Sequence, residues 1–222
     1  MPLRSLHQIP AILEGFADPG AGTVTVGRML LPWFSHYVRV LFPATTADGT
    51  TLRWGALAPG RITAQSQWWD VEQLGTPSDT RWEGITPPPM GSMDAATATA
   101  LSALLSGHTS SAGECYFLLW EGSAGLRPEL VDGASVLVAP NERRMRVLAG
   151  TLGDATESTM AGSPHRPLWW IAADGSWCVG NDLSGRSVFI GGDLALVRAI
   201  MNSGTVESFV VDPRQTVYSE DC

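Results

Sequence analysis

The sequence predicts an α+β fold: a mixed or antiparallel sheet with a C-terminal three-strand meander followed by a helix and a strand, with helices packed on one face. Three observations carry that expectation. Leu168 to Ala172, Trp177 to Asn181 and Ser187 to Ile190 are apolar runs of strand length, separated by the turns Ala173-Asp174-Gly175-Ser176 and Asp182 to Arg186. An Asp-Gly pair between two such runs favours the tight turn that joins antiparallel neighbours. Beyond Gly191-Gly192, the residues Leu194, Val197, Ile200 and Met201 recur at helical spacing behind a capping Asp193, and Val206 to Val211 is strand-like again. Upstream, an Ala/Thr/Leu-rich segment with Leu101, Leu104 and Leu105 on one side precedes Cys115 to Trp120, which is apolar on both faces. A helix before a buried strand implies a sheet covered on at least one side.

The remaining elements follow in order. Ile9 to Phe16 suits a short helix, which Gly20, Gly22 and Gly27 interrupt. His36 to Phe42 alternates as a strand, with His36, Val38, Val40 and Phe42 toward the core and Tyr37, Arg39 and Leu41 on the other side; Pro43 closes it. After the Asp48-Gly49 turn, Thr50 or Thr51 caps a short helix through Leu52, Trp54 and Leu57 that stops at Pro59-Gly60. Residues 61–89 lack periodicity and hold Trp68-Trp69, Trp82 and Pro87-Pro88-Pro89, the pattern of a flap or a groove wall. Asp94 is the N-cap of the Ala/Thr/Leu-rich helix, which ends at Gly107. Leu130 to Ala139 reads as a strand entering a connection, 143–149 as a further short strand or helix, and 150–164 as a loop. The chain is expected to be a single compact domain over 1–222, with an N-terminal subdomain 1–90 and a C-terminal subdomain 91–222 as its natural division.

Composition narrows the function classes. In 222 residues, 14 Lys and Arg stand against 22 Asp and Glu, a formal net charge of -8, and charged residues are only 16 % of the chain. That balance repels a phosphate backbone. The densest basic run, Glu142-Arg143-Arg144-Met145-Arg146, is too short to override it, so no nucleic-acid partner is expected. No apolar run approaches the roughly 18 residues of a membrane span, and no signal-type stretch follows Met1-Pro2-Leu3-Arg4-Ser5. Cytoplasmic residence without membrane attachment is the expectation. Cys115 and Cys178 sit in strand-like runs as buried thiols, while Cys222 ends the chain as the exposed thiol that would crosslink in air. None has the spacing of a redox pair or a zinc knuckle.

Three strings carry a resemblance: Cys115-Tyr-Phe-Leu-Leu-Trp-Glu-Gly122, Trp170-Ile-Ala-Ala-Asp-Gly-Ser-Trp-Cys-Val179 and Ser187-Val-Phe-Ile-Gly-Gly192. They are similar to strings of Trp-Glu-Gly, Ala-Asp-Arg-Ser-Trp and Tyr-Val-Gly-Gly type in a family of uncharacterised actinobacterial proteins. Weaker echoes at 36–44, Arg53-Trp54 and 104–108 extend the likeness over most of the chain. Gly175 stands where Arg is usual and Phe189 where Tyr is usual. The resemblance implies one shared architecture and no mechanism.

A nucleophile elbow, a dinucleotide or triphosphate cradle and a paired-histidine metal motif are all absent from the sequence. No cofactor and no metal site is expected. Glu114 and Glu121 bracket a strand, about 23 Å apart if it is straight, too far for the roughly 5–9.5 Å of a glycosidase pair. Glu121 beside Trp120, Asp182 at a strand end and His36 are the catalytic candidates, for a hydrolase acting on a small uncharged or cationic substrate. The competing expectation rests on nine tryptophans. Trp is enriched at interfaces, and Trp68, Trp69, Trp82 and Trp120 are the candidate binding residues. The preferred reading is a non-catalytic protein-binding or immunity or adaptor-like protein, whose partner is another protein or, in a homodimer, a second copy.

Overall fold

A computed structural model describes residues 3–16, 23–74, 82–160 and 165–218; Cys222 and residues 161–164 lie outside these. The first strand, β1 (Arg4–Ser5), is followed by a 3-10 turn over Ala11–Phe16 and a one-turn helix, α1 (Val26–Met29). Next come β2 (His36–Leu41), the hairpin β3 (Ala44–Thr45) and β4 (Thr51–Leu52), α2 (Trp54–Leu57) and α3 (Trp68–Gln73). The long helix α4 (Ala95–Ser106) leads to β5 (Cys115–Trp120), α5 (Pro128–Val131), β6 (Val136–Ala139) and β7 (Arg143–Gly150). The meander β8 (Trp169–Ala172), β9 (Cys178–Asn181) and β10 (Ser187–Gly192) precedes α6 (Leu194–Asn202) and β11 (Glu207–Val210).

Nine of the described strands make one antiparallel sheet in the order β1-β7-β5-β8-β9-β10-β2-β11, and β6 shares the outer edge of β7 with β1. Residues before and after position 90 therefore interleave in one sheet, since β2 lies between β10 and β11. The expected meander, helix and strand are present. Asp193 caps α6 by accepting from the Leu196 N–H at 2.7 Å, and Asp94 caps α4 by accepting from the Thr97 N–H at 2.9 Å.

Both faces of the sheet are covered. The two long helices pack on one face, where Leu101, Leu105, Leu196 and Ile200 bury against Val38, Val40, Phe117, Trp170, Val179 and Ile190. On the other face, Leu13, Phe16, Val26, Met29, Leu30 and Leu31 of the N-terminal segment cover Tyr37, Leu118, Val147, Trp169, Ile171 and Phe189. The second layer explains why β2 buries both its faces and not only the Val38 and Val40 side. Arg39 itself is 2 % exposed. Its Nε donates to Ser187 Oγ at 2.8 Å and its Nη1 to the Ser66 carbonyl at 2.7 Å, with the guanidinium over the Trp54 and Phe189 rings. Trp169 and Trp170 point to opposite faces and are both buried; the Trp169 indole donates to the Met29 carbonyl and the Trp170 indole to that of Pro167.

Several elements differ from expectation for identifiable reasons. Thr51–Leu52 is a strand and not a helical start, and α2 takes its cap from far along the chain: the Trp54 and Gly55 N–H groups donate to the Glu207 carboxylate at 2.7 and 2.9 Å. Within 61–89, Gln67 and Asp70 close a capping box, and Trp68 and Val71, three residues apart, bury one face of α3 against Trp54 and Leu57. Leu130 belongs to a helical turn opened by Pro128, leaving only Val136–Ala139 as strand. In 150–160, Thr151 and Asp154 cap a 3-10 turn whose Leu152 and Ala155 bury beneath α4.

Candidate functional site

One end of the sheet collects the connections that carry polar chemistry. β5 and β9 finish there and β7, β8 and β10 begin there, so the segments around 88–95, 121–127, 165–168 and 182–186 become neighbours. The Pro-rich approach to α4 is fastened at three points. The Gly91 N–H donates to the Gly185 carbonyl at 2.9 Å, Arg186 Nη1 donates to the Pro88 carbonyl, and Arg166 Nη1 donates to the Met93 carbonyl at 2.8 Å. Between the fastened segment and His165-Arg166 lies a cavity of about 490 Å³, lined by Pro89, Met90, Ser92, Met93, Asp94, Ala95, His165 and Arg166. That volume falls within the roughly 300–1,000 Å³ of small-ligand sites.

The cavity walls are mostly apolar and its polar groups are largely engaged. Asp94 gives one oxygen to the start of α4, and its other oxygen is buried with no hydrogen-bond partner. Burial pushes the His165 imidazole below its ordinary pKa, so near neutral pH it presents an uncharged ring. The Arg166 guanidinium is also pushed down by burial, an effect opposed by the charges of Asp94 and Glu157, and its Nε donates to the Thr156 carbonyl at 3.0 Å. Such a cavity suits an apolar group better than an anion or a strongly hydrated cation.

The catalytic candidates do not meet. Glu121 receives Arg144 Nε at 2.8 Å and Arg146 Nη2 at 2.6 Å, and hydrogen bonding from Arg144 together with the two arginine charges holds its carboxyl below the usual range. Asp182 pairs instead with Arg143 Nη2 at 3.6 Å. Consecutive strand residues point to opposite faces, so Arg143 and Arg144 draw the two carboxylates to opposite sides of β7. His36 begins β2 opposite Gly192, whereas Asp182 lies just past Asn181, which is level with Val188 and Val40. The ring and the carboxylate are thus separated by roughly 13 Å of sheet length, and His36 Nδ1 lies 2.8 Å from Ser35 Oγ.

The candidate binding tryptophans are likewise divided. Trp68 is 2 % exposed and stacks edge-on between Trp54 and Trp82, at centroid distances of 5.4 and 6.3 Å. These rings form a small core of their own beside Leu41 and Val71. Trp69 and Trp82 are half-buried, and Trp120 is half-buried elsewhere under the Arg143 guanidinium. The tryptophan with most surface in solvent is Trp33, 49 % exposed, at the His36 end of the sheet.

Sequence reasoning missed the cavity residues Met90, Ser92, Met93, His165 and Arg166 and assigned Asp94 only its capping role. The Arg166 N–H donates to Ser92 Oγ at 3.3 Å across a separation of 74 residues, and no local pattern encodes such a meeting. The strings 115–122, 170–179 and 187–192 fall in β5, β8, β9 and β10, four adjacent strands of the sheet. Among the described residues, no cluster of three or more His, Cys, Asp or Glu could hold a metal, and no helix is long and apolar enough to cross a membrane. Comparison of the chain with protein-family models, with curated proteins and with solved structures finds no match.

Proposed function

We propose that this chain is a non-catalytic binding protein of the adaptor or immunity type, and that it receives an apolar side chain of a partner protein in the cavity beside the start of α4. The observation that carries this reading is the cavity itself: about 490 Å³, walled by Pro89, Met90, Met93 and Ala95, with an uncharged His165 and an Arg166 that donates to backbone carbonyls. The pairing of Glu121 with Arg144 and Arg146 supports binding over hydrolysis, because a carboxyl held ionised by an adjacent guanidinium is a poor proton donor near neutral pH. Buried free thiols at Cys115 and Cys178 fit a reducing, cytoplasmic setting.

The test is a fluorescence titration with N-phenyl-1-naphthylamine, a neutral apolar dye that stands in for the partner's side chain. One-to-one binding is expected, lost in Ala95→Trp, whose indole would occupy the cavity from an exposed position on the first turn of α4. Failure of the intact protein to bind the dye, or equal binding by the folded variant, would overturn the reading.

A further inference from the structure

Among the described strands β11 forms one edge of the sheet, and its hydrogen-bonding groups specify what can cover it. β11 is last in the strand order and pairs only with β2 among the described strands. The Val211 N–H donates to the Tyr37 carbonyl at 3.1 Å. Antiparallel neighbours alternate between hydrogen-bonded and non-hydrogen-bonded positions, so Glu207, Phe209 and Val211 turn their backbone groups toward β2. Ser208 and Val210 therefore turn theirs outward.

The side chains beside those groups are unguarded. Val210 is 57 % exposed, and on α6, next to it in space, Leu194 and Met201 are each 40 % exposed. Ser208 Oγ donates to Met201 Sδ at 3.3 Å, tying strand and helix into one surface. The single charge on the strand, Glu207, is drawn inward by the Trp54 and Gly55 N–H groups. Proteins usually protect a sheet edge with charge, proline or a covering segment; the opposite edge here is made of the two short strands β1 and β6, side by side along β7.

We infer that β11 pairs antiparallel with β11 of a second copy of this chain, about a two-fold axis at Phe209. In that register Ser208 of each copy lies opposite Val210 of the other, and the four outward N–H groups meet the four outward carbonyls with none left over. The match is self-complementary, as an isologous interface requires. Charge agrees with it. Asp212, held ionised at a pKa of about 2 by Arg214, leaves the strand beside Thr205 and Val206 of the second copy, the segment on which Arg53 closes by donating to the Gly204 carbonyl. Each end of the paired strands thus brings a carboxylate toward a guanidinium. A four-residue pairing flanked by Leu194 and Met201 is small beside the roughly 1,200–2,000 Å² of stable interfaces, so the dimer is expected to be weak and concentration-dependent. This inference is independent of the cavity.

Sedimentation velocity across low to high micromolar concentrations tests it. The intact chain is expected to pass from monomer to dimer, while Val210→Lys and Val210→Pro stay monomeric; proline at 210 removes only an outward N–H and leaves the ladder to β2 intact. A monomer at every concentration would overturn the inference, and so would a dimer unchanged in the folded variants. Should either variant fail to fold, amide exchange in the intact chain decides: the Ser208 and Val210 amides must become protected as concentration rises, and exchange that ignores concentration refutes the pairing.

Discussion

Gly91 offers a quantitative test of how the cavity wall is built. Its φ is +64°, and a Cβ there would fall far inside van der Waals contact distance of the Leu183 carbonyl oxygen, with the Leu183 carbonyl carbon at 3.0 Å and Cα at 3.2 Å. Backbone atoms offer no flexible end that could swing aside. Gly91→Ala must then carry about 1–2 kcal/mol of left-handed strain, lose the hydrogen bond to Gly185, worth about 1 kcal/mol, and take on roughly 1–3 kcal/mol of overpacking. The sum is about 3–6 kcal/mol. Gly49 supplies the control, because its φ of +84° imposes the same kind of strain while nothing lies within 4 Å of a Cβ; Gly49→Ala should cost only about 1–2 kcal/mol. Urea unfolding, read from the midpoint at constant slope, measures both. Gly91→Ala should also weaken dye binding, since its neighbours Met90 and Ser92 wall the cavity. Equal losses in the two variants would refute the reasoning, for the close approach to Leu183 would then carry no energy.

Three further outcomes are expected. Burial raises the Glu207 pKa against the opposing N–H bonds of Gly55 and Trp54, so the folded state holds that proton more tightly than the unfolded state. Its titration therefore favours folding most below the unfolded carboxyl value of about 4.3, and that share is lost as pH rises through the folded value. The stability deficit of Glu207→Gln in urea should accordingly be larger in acid than at neutral pH; a deficit that grows with pH would contradict the burial of this carboxyl. Asp174 behaves oppositely: partial burial pushes its pKa up, but hydrogen bonds from Ser176 and Ser110 outweigh that and hold it low. Its contribution is present above the ordinary carboxylate range and disappears as pH falls, so intact protein and Asp174→Asn should differ in melting temperature at neutral pH and converge in strong acid. Finally, Trp68→Ala should cost about 3–5 kcal/mol as a buried large-to-small change, whereas Trp33→Ala, at an exposed ring, should cost less than about 1 kcal/mol; a reversed order in urea unfolding would invert the assignment of core and surface.

The local signals in the sequence were accurate where one segment holds the whole cause. Asp94 and Asp193 cap helices because each carboxylate reaches an N–H three residues on. The turns at 173–176 and 182–186 connect adjacent antiparallel strands because they are short and polar between apolar runs. Cys115 to Trp120 was legible as an inner strand because both of its faces are apolar, and both are buried.

Where a cause is divided between distant segments, local reading failed. Thr50 and Thr51 looked like caps, yet the carboxylate that starts α2 belongs to Glu207, more than 150 residues away. Arg39 read as the outward side of a strand, but the loop before α3 closes over it with the carbonyls of Ala64 and Ser66. Trp68 and Trp82 read as an exposed aromatic loop, because helical burial of Trp68 needs Trp54 and Leu57 beneath it. Glu121 and Asp182 read as partners, but Arg143 and Arg144, which claim them, are consecutive in β7 and point to opposite faces. By itself, then, the sequence determined the α+β class, the meander with its helix and last strand, the capped helices and the acidic charge, all of which follow from periodicity, turn chemistry and composition within one segment. Only the tertiary structure decided which faces are buried, where the cavity forms and which strands stand at the edges of the sheet, because those depend on backbone groups and side chains meeting across more than 70 residues of chain.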